Sequence, residues 1–111
     1  MDSVQTLKEL KQIIAKNKIA LLYVSQPNCS VCQALLPKIK ALNAPTVHKV
    51  HADLKKTPEI AGEHFILTSP AVLVFVNGKE MLRKARFISI QKLEKELFKL
   101  ANLINHGKRS E

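Results

Sequence analysis

The chain has 111 residues, 46% of them hydrophobic, which is typical of a single globular domain with one core. No apolar run reaches the roughly 18 residues that a membrane-spanning helix needs, which argues against an integral membrane protein. The formal net charge is +9, from 18 Lys and Arg against 9 Asp and Glu, but the lysines form no dense run and no Trp is present for base stacking, which disfavours a nucleic-acid-binding protein.

The first quarter of the chain predicts a helix and then a buried strand. The first residues show no basic segment followed by an apolar one, so we expect a cytoplasmic protein rather than a secreted one. Residues 3–16 place apolar side chains at a spacing of three to four, which predicts an amphipathic helix with Asp2 or Ser3 as its N-cap. Residues 19–25 form a continuous apolar run, as expected of a strand buried on both faces.

Two cysteines, Cys29 and Cys32, follow this strand and are the only cysteines in the chain. A helix is predicted to start at about Ser30 and to be kinked at Pro37. A C-x-x-C sequence at a strand-to-helix junction is the arrangement used for thiol–disulfide exchange. A purely structural disulfide is a weaker interpretation, because closing so short a loop restricts the unfolded chain little.

A metal site is disfavoured by the shortage of ligands. A zinc or iron–sulfur site takes about four protein ligands, and the chain has no second cysteine pair. His48 and His51 are three residues apart on a predicted strand, so their side chains should point to opposite faces. We therefore expect neither a metal nor an organic cofactor.

The second half of the chain predicts three strands and two helices. Strands are expected over residues 46–53 and 71–76, a short helix over 58–65 and a closing helix over 89–104. Asn77-Gly78 is the strongest hairpin signal, so an antiparallel edge strand should run from Glu80 to about Phe87. Residues 105–111 are polar and should fray. The resulting order predicts a single domain over residues 1–111, with a mixed four-stranded sheet covered by helices on both faces.

This pattern resembles the thioredoxin family over nearly the whole chain, from about Val4 to Leu100. The residues that carry the resemblance are Cys29-Ser-Val-Cys32, Pro37, Pro58, Thr68-Ser69-Pro70 and Asn77-Gly78-Lys79. It implies a thioredoxin-like α/β fold with strand order 2-1-3-4, lacking the family's usual first strand. It also implies a helix N-terminus at Cys29 and a cis peptide bond before Pro70.

The resemblance further implies a thiol–disulfide oxidoreductase that reduces protein disulfides. Cys29 would be the nucleophile and Cys32 the resolving thiol, while the backbone of Ser69 beside Pro70 would align the substrate. The cysteines carry the electrons themselves, so the implied partners are disulfide-containing protein substrates and a reductase, with the protein acting as a monomer.

Departures from the family pattern surround the cysteines. Asn28, Ser30 and Val31 differ from the usual Trp-Cys-Gly-Pro-Cys, which predicts a redox potential different from that of a general thioredoxin. The family's buried acid, six residues before the first cysteine, is replaced by Tyr23, and the lysine that faces it aligns with His51. Our hypothesis is that Tyr23 and His51 together take the proton from the resolving thiol; alternatively, they simply satisfy each other in the core.

Arg86 occupies a loop position at which the family has glycine. A cation there would stabilise the nucleophilic thiolate and favour acidic partners, or it would be a solvated loop residue. The missing tryptophan, the missing buried acid and Arg86 also leave a second function open. In that interpretation the chain is a thioredoxin-fold binding or redox-sensing module with little general reductase activity.

Overall fold

The computed structural model describes residues 1–107, which build one mixed five-stranded sheet with helices on both faces. The strands are β1 (Asp2–Ser3), β2 (Ile19–Ser25), β3 (His48–Asp53), β4 (Ala71–Val76) and β5 (Lys79–Ala85). The helices are α1 (Leu7–Lys16), α2 (Ser30–Lys40), α3 (Glu59–His64) and α4 (Ile90–Gly107). The strand order is β1-β3-β2-β4-β5, with β1, β3 and β2 parallel and β4 and β5 antiparallel to their neighbours.

The core lies on both sides of β2 and β4, whose apolar runs are almost entirely buried. Alternate residues of β2 face opposite ways, so Leu22 and Val24 pack in the cluster that contains α1 and α3 residues. Leu21 and Tyr23 pack in the other cluster, with residues of α2 and α4. This confirms the predicted buried strands and the predicted α/β architecture with helices on both faces of the sheet. Among the residues described, no helix has the length and apolar character needed to cross a bilayer.

The four predicted strands have the predicted order, but the expectation that the first strand is missing is wrong. Asp2 and Ser3 form the short strand β1 parallel to β3, and the Val4 N–H donates to the His51 C=O at 3.0 Å. Helix α1 consequently begins at Leu7 instead of residue 3. A strand of two residues is too short to show an alternating pattern, and a spacing of three between Val4 and Leu7 suits a helix equally well.

The N-cap of α1 is Thr6, so the prediction of Asp2 or Ser3 as the cap is also wrong. The Thr6 side-chain oxygen accepts the Glu9 N–H at 3.1 Å, and the Glu9 carboxylate accepts the Gln5 N–H at 3.3 Å. These two bonds satisfy N–H groups that have no partner within the helix. The extended residues before Thr6 are therefore free to pair with β3.

Several element boundaries differ from the prediction by a few residues. β3 begins at His48 instead of residue 46, and β5 ends at Ala85 because Arg86 adopts a left-handed conformation with φ of 64°. α3 spans Glu59–His64, one residue shorter at each end than the predicted helix over 58–65. Residues 105–107, predicted to fray, belong to α4, and the rest of the predicted tail, 108–111, lies outside the described residues.

Candidate active site

Cys29 and Cys32 sit where β2 leads into α2, and they form a disulfide with a Cα–Cα distance of 5.2 Å. Cys29 is the N-cap of α2, and its Sγ accepts the Cys32 N–H at 3.2 Å. Cys32 is buried behind it, whereas Cys29 is only partly buried. The geometry therefore makes Cys29 the sulfur that an incoming molecule reaches first.

The start of α2 favours a negative charge on the Cys29 sulfur. The first N–H groups of a helix have no partner within it, and together with the helix dipole they stabilise an anion at that end. The first turn of α2 contains no acidic residue, whereas Lys38 and Lys40 lie in its last turn. Once the disulfide is reduced, the unpaired N–H groups and the dipole at the N-terminus of α2 stabilise the thiolate of Cys29.

A cavity of about 380 Å³ opens beside Cys29. Its lining consists of residues 28–31, 69–70 and 86–87. The Ser69–Pro70 peptide bond is cis, as predicted, and the Pro70 C=O accepts the Arg86 N–H at 2.9 Å. The fold thus brings the three predicted segments around Cys29, Pro70 and Arg86 to one site. Tyr23 and His51 do not line this cavity.

Tyr23 lies within the core and contacts the cysteine pair through the backbone. Its side chain is fully buried, and its hydroxyl donates to the Cys32 C=O at 2.6 Å. Burial raises the pKa of Tyr23 to about 12, so the phenol stays protonated at physiological pH. Its hydroxyl is a donor that fixes the first turn of α2 against β2.

His51 lies on β3, directly opposite Tyr23 in the register, with the ring centroids 5.5 Å apart. Its Nε2 is 2.6 Å from the Ser25 Oγ, so the two rings are neighbours but each makes its hydrogen bond to a different group. Burial lowers the pKa of His51; Asp53 opposes this shift, whereas Lys40 and Lys56 add to it. The imidazole is therefore neutral at physiological pH and can accept a proton.

Ser25 is the residue that the sequence analysis missed. It lies two residues after Tyr23 on β2, so both side chains point to the same face of the sheet, and it is the last residue of the strand before the cysteine loop. Its place at the end of β2, just before the cysteine loop, was the only indication in the sequence that Ser25 lies near the site. The contact between Ser25 and His51 is seen only in the structure. Among the described residues, no group of three His, Cys, Asp or Glu could hold a metal ion.

The chain is similar to known proteins in both its sequence and its structure. The Thioredoxin family model matches residues 3–99. A relative, the "Thioredoxin-like protein YdfQ" of Bacillus subtilis, is 31% identical over 105 residues, covering 93% of this chain and 94% of the relative. The structure is similar to Fasciola hepatica thioredoxin, with a TM-score of 0.82, 23% identity and coverage of 89% and 98% of the two chains. A Halobacterium salinarum thioredoxin mutant gives a TM-score of 0.81, 18% identity and 86% coverage of each chain.

Proposed function

The chain belongs to the thioredoxin family, and we propose that it reduces disulfide bonds in proteins through Cys29 and Cys32. One observation carries this proposal: the bonded cysteines sit at the N-terminus of α2, with one sulfur beside an open cavity and the other buried behind it. The protein acts as a single domain over residues 1–111 and as a monomer. Its compartment is the cytoplasm, where a partner reductase can restore the dithiol.

The reaction passes two electrons from the cysteine pair to the substrate. The Cys29 thiolate attacks one sulfur of the substrate disulfide, so that a mixed disulfide forms and the other substrate sulfur leaves as a thiolate. Cys32 then loses its proton and attacks the Cys29 Sγ, which releases the second substrate thiolate and leaves the Cys29–Cys32 disulfide. The partner reductase supplies two electrons and returns the pair to the dithiol.

Ser69 and Pro70 hold the substrate backbone next to Cys29 in this proposal. They line the same cavity as the nucleophile, and the Pro70 C=O is already bonded to Arg86. The backbone N–H and C=O of Ser69 have no backbone partner within residues 1–107. These two groups are therefore available to pair with an extended substrate segment.

His51 is the proton acceptor for Cys32 in this proposal, with Tyr23 and Ser25 as positioning residues. The raised pKa of Tyr23 keeps its hydroxyl protonated, so this residue holds the Cys32 carbonyl and orients the resolving cysteine. Ser25 fixes the neighbouring imidazole through its 2.6 Å contact with Nε2. In this proposal the neutral histidine, at the position of the family's lysine on β3, takes over the proton-accepting role of the acid that Tyr23 replaces on β2.

We expect His51→Ala to slow the resolution of the mixed disulfide by roughly tenfold at neutral pH, since a positioned general base is lost. In the unmodified protein the rate should fall as the pH drops through the lowered pKa of His51, because the protonated ring cannot accept a proton. Single-turnover reduction of a reporter disulfide across a pH series measures both effects. His48→Ala, which removes the histidine paired with Asp2, is the control. An unchanged rate and pH profile in His51→Ala would rule out this role.

Insulin reduction in the presence of dithiothreitol tests the proposed function directly. Turnover well above the dithiothreitol background is expected of an oxidoreductase with an accessible nucleophile. The competing function is a binding or redox-sensing module, favoured by Arg86 in place of a glycine at a left-handed position beside the cavity. That function predicts reversible oxidation of the cysteine pair without turnover.

A further inference from the structure

A second groove continues from the cavity beside Cys29. It lies between α2 and the segment 86–89, which joins β5 to α4, and its volume is about 450 Å³. Its lining residues are Val31, Ala34, Leu35, Lys38, Arg86, Phe87, Ile88 and Ser89. Val31, Arg86 and Phe87 also line the cavity beside the nucleophile. A chain bound at Cys29 can therefore extend directly into this space, which we call the α2 groove.

The surface of the α2 groove is mostly apolar and includes two large exposed side chains. Phe87 is 93% exposed and Val31 is 52% exposed. Scattered apolar residues on a surface are ordinary, but these two line a common groove with Ala34, Leu35 and Ile88. An apolar side chain placed there would remove both from water, which is favourable.

The charged groups of the α2 groove all have the same sign. Its ionisable lining residues are Lys38 and Arg86, and no acidic residue lines it. Within the described part of the chain, neither cation forms an ion pair. The Arg86 N–H donates to the Pro70 C=O, so its main chain is held at the boundary between groove and cavity, both of which Arg86 lines. A carboxylate on a bound chain would complement both cations.

We propose that the α2 groove binds the substrate segment next to the reactive cysteine and selects segments with a bulky apolar side chain and an acidic residue. Val31 and Phe87 contact the apolar side chain, and Lys38 and Arg86 pair with the carboxylate. The identification of this segment as substrate rests on the proposed function. The binding preference does not, since it requires no electron transfer.

The test measures binding without the redox reaction. Fluorescent peptides of one length, with serine in place of the reactive cysteine, carry Leu-Glu, Leu-Lys or Ser-Glu at the adjoining positions, and anisotropy gives their affinities for the oxidised protein. The Leu-Glu peptide should bind roughly tenfold more tightly than the Leu-Lys peptide at low salt. Lys38→Gln and Arg86→Gln should each reduce that ratio about threefold, and Phe87→Ser should weaken both Leu peptides.

Lys8→Gln is the matched control, because it removes one exposed positive charge from α1, on the opposite face of the sheet. In this variant the ratio of the affinities for the Leu-Glu and Leu-Lys peptides should equal that of the unmodified protein. The proposal is overturned if the protein does not distinguish the Leu-Glu from the Leu-Lys peptide, or if Lys8→Gln lowers the ratio as much as Arg86→Gln does.

A parallel measurement separates this proposal from the proposed function. The unmodified reduced protein is mixed with 2-hydroxyethyl disulfide, which is uncharged and too small to fill the groove. If this disulfide is reduced but the peptide preference is absent, only the groove proposal fails. If the preference is present but no disulfide is reduced, the oxidoreductase fails and the groove remains a site for acidic, apolar segments.

Discussion

Cys29→Ser is expected to reduce the rate of insulin reduction by about 10³-fold or more, to the background of the reductant. A serine hydroxyl is not ionised at neutral pH and cannot form a disulfide, so neither the attack nor the covalent intermediate is available. Residue 29 is the N-cap of α2. The N-terminus of this helix can stabilise a thiolate, but it cannot substitute for the missing sulfur. Turbidity of insulin in dithiothreitol gives the rate.

Cys32→Ser is the matched variant, because it keeps the nucleophile and removes only the resolving thiol. Reaction with a disulfide substrate should stop at a mixed disulfide on Cys29, visible as a stable mass increase equal to one substrate chain. Cys32 is buried, so the reverse variant, Cys29→Ser, should trap far less substrate. Equal trapping by the two variants would contradict the assignment of nucleophile and resolving cysteine.

Tyr23→Ala is expected to lower the free energy of unfolding by about 3–5 kcal/mol, the range for removing a buried aromatic side chain. Tyr23 is fully buried in the cluster between the sheet and the α2 and α4 helices. The substitution leaves a cavity there and removes the hydrogen bond from the Tyr23 hydroxyl to the Cys32 C=O. With a melting-temperature change of about 4 °C per kcal/mol for a domain of this size, the midpoint should fall by roughly 12–20 °C. Urea or thermal unfolding of the oxidised protein measures the change.

Tyr23→Phe separates the packing contribution from the hydrogen bond. It keeps the ring and removes only the hydroxyl that donates to the Cys32 C=O, so a loss of about 1–2 kcal/mol is expected. Phe98→Ala, at a 68% exposed aromatic residue on α4, should cost less than about 0.5 kcal/mol. Equal losses in the Ala and Phe variants at position 23 would show that the ring contributes little to the core.

The parts of the fold that were predicted correctly have one property in common: their own residues carry a strong local signal. β2 and β4 are continuous apolar runs because both of their faces are buried, and Asn77-Gly78 marks the hairpin between β4 and β5. The two-residue strand β1 has no such pattern, since its pairing depends on the position of β3 and not on its own residues. The prediction that the sheet lacks this first strand was therefore wrong.

The site was predictable only as far as local sequence defines it. Cys29 and Cys32 belong to one C-x-x-C motif, and the structure joins them as a disulfide. The contact between Ser25 and His51 depends on the register of two parallel strands, which no local pattern specifies. The α2 groove brings together Val31 and Phe87 from distant parts of the chain, so its apolar surface could not be recognised before the fold was known. Of its charge, only the contribution of Arg86 was anticipated, as a cation that would favour acidic partners.

The most direct test of the dithiol mechanism is a redox titration of Cys29 and Cys32. The protein is equilibrated with dithiothreitol or glutathione buffers of known potential, free thiols are alkylated, and the masses are read. A dithiol oxidoreductase predicts one two-electron transition, with about 30 mV for each tenfold change in the ratio of oxidised to reduced protein, at a potential that a cytoplasmic reductase can reach. If the two thiols never form an intramolecular disulfide at any potential, the mechanism is contradicted.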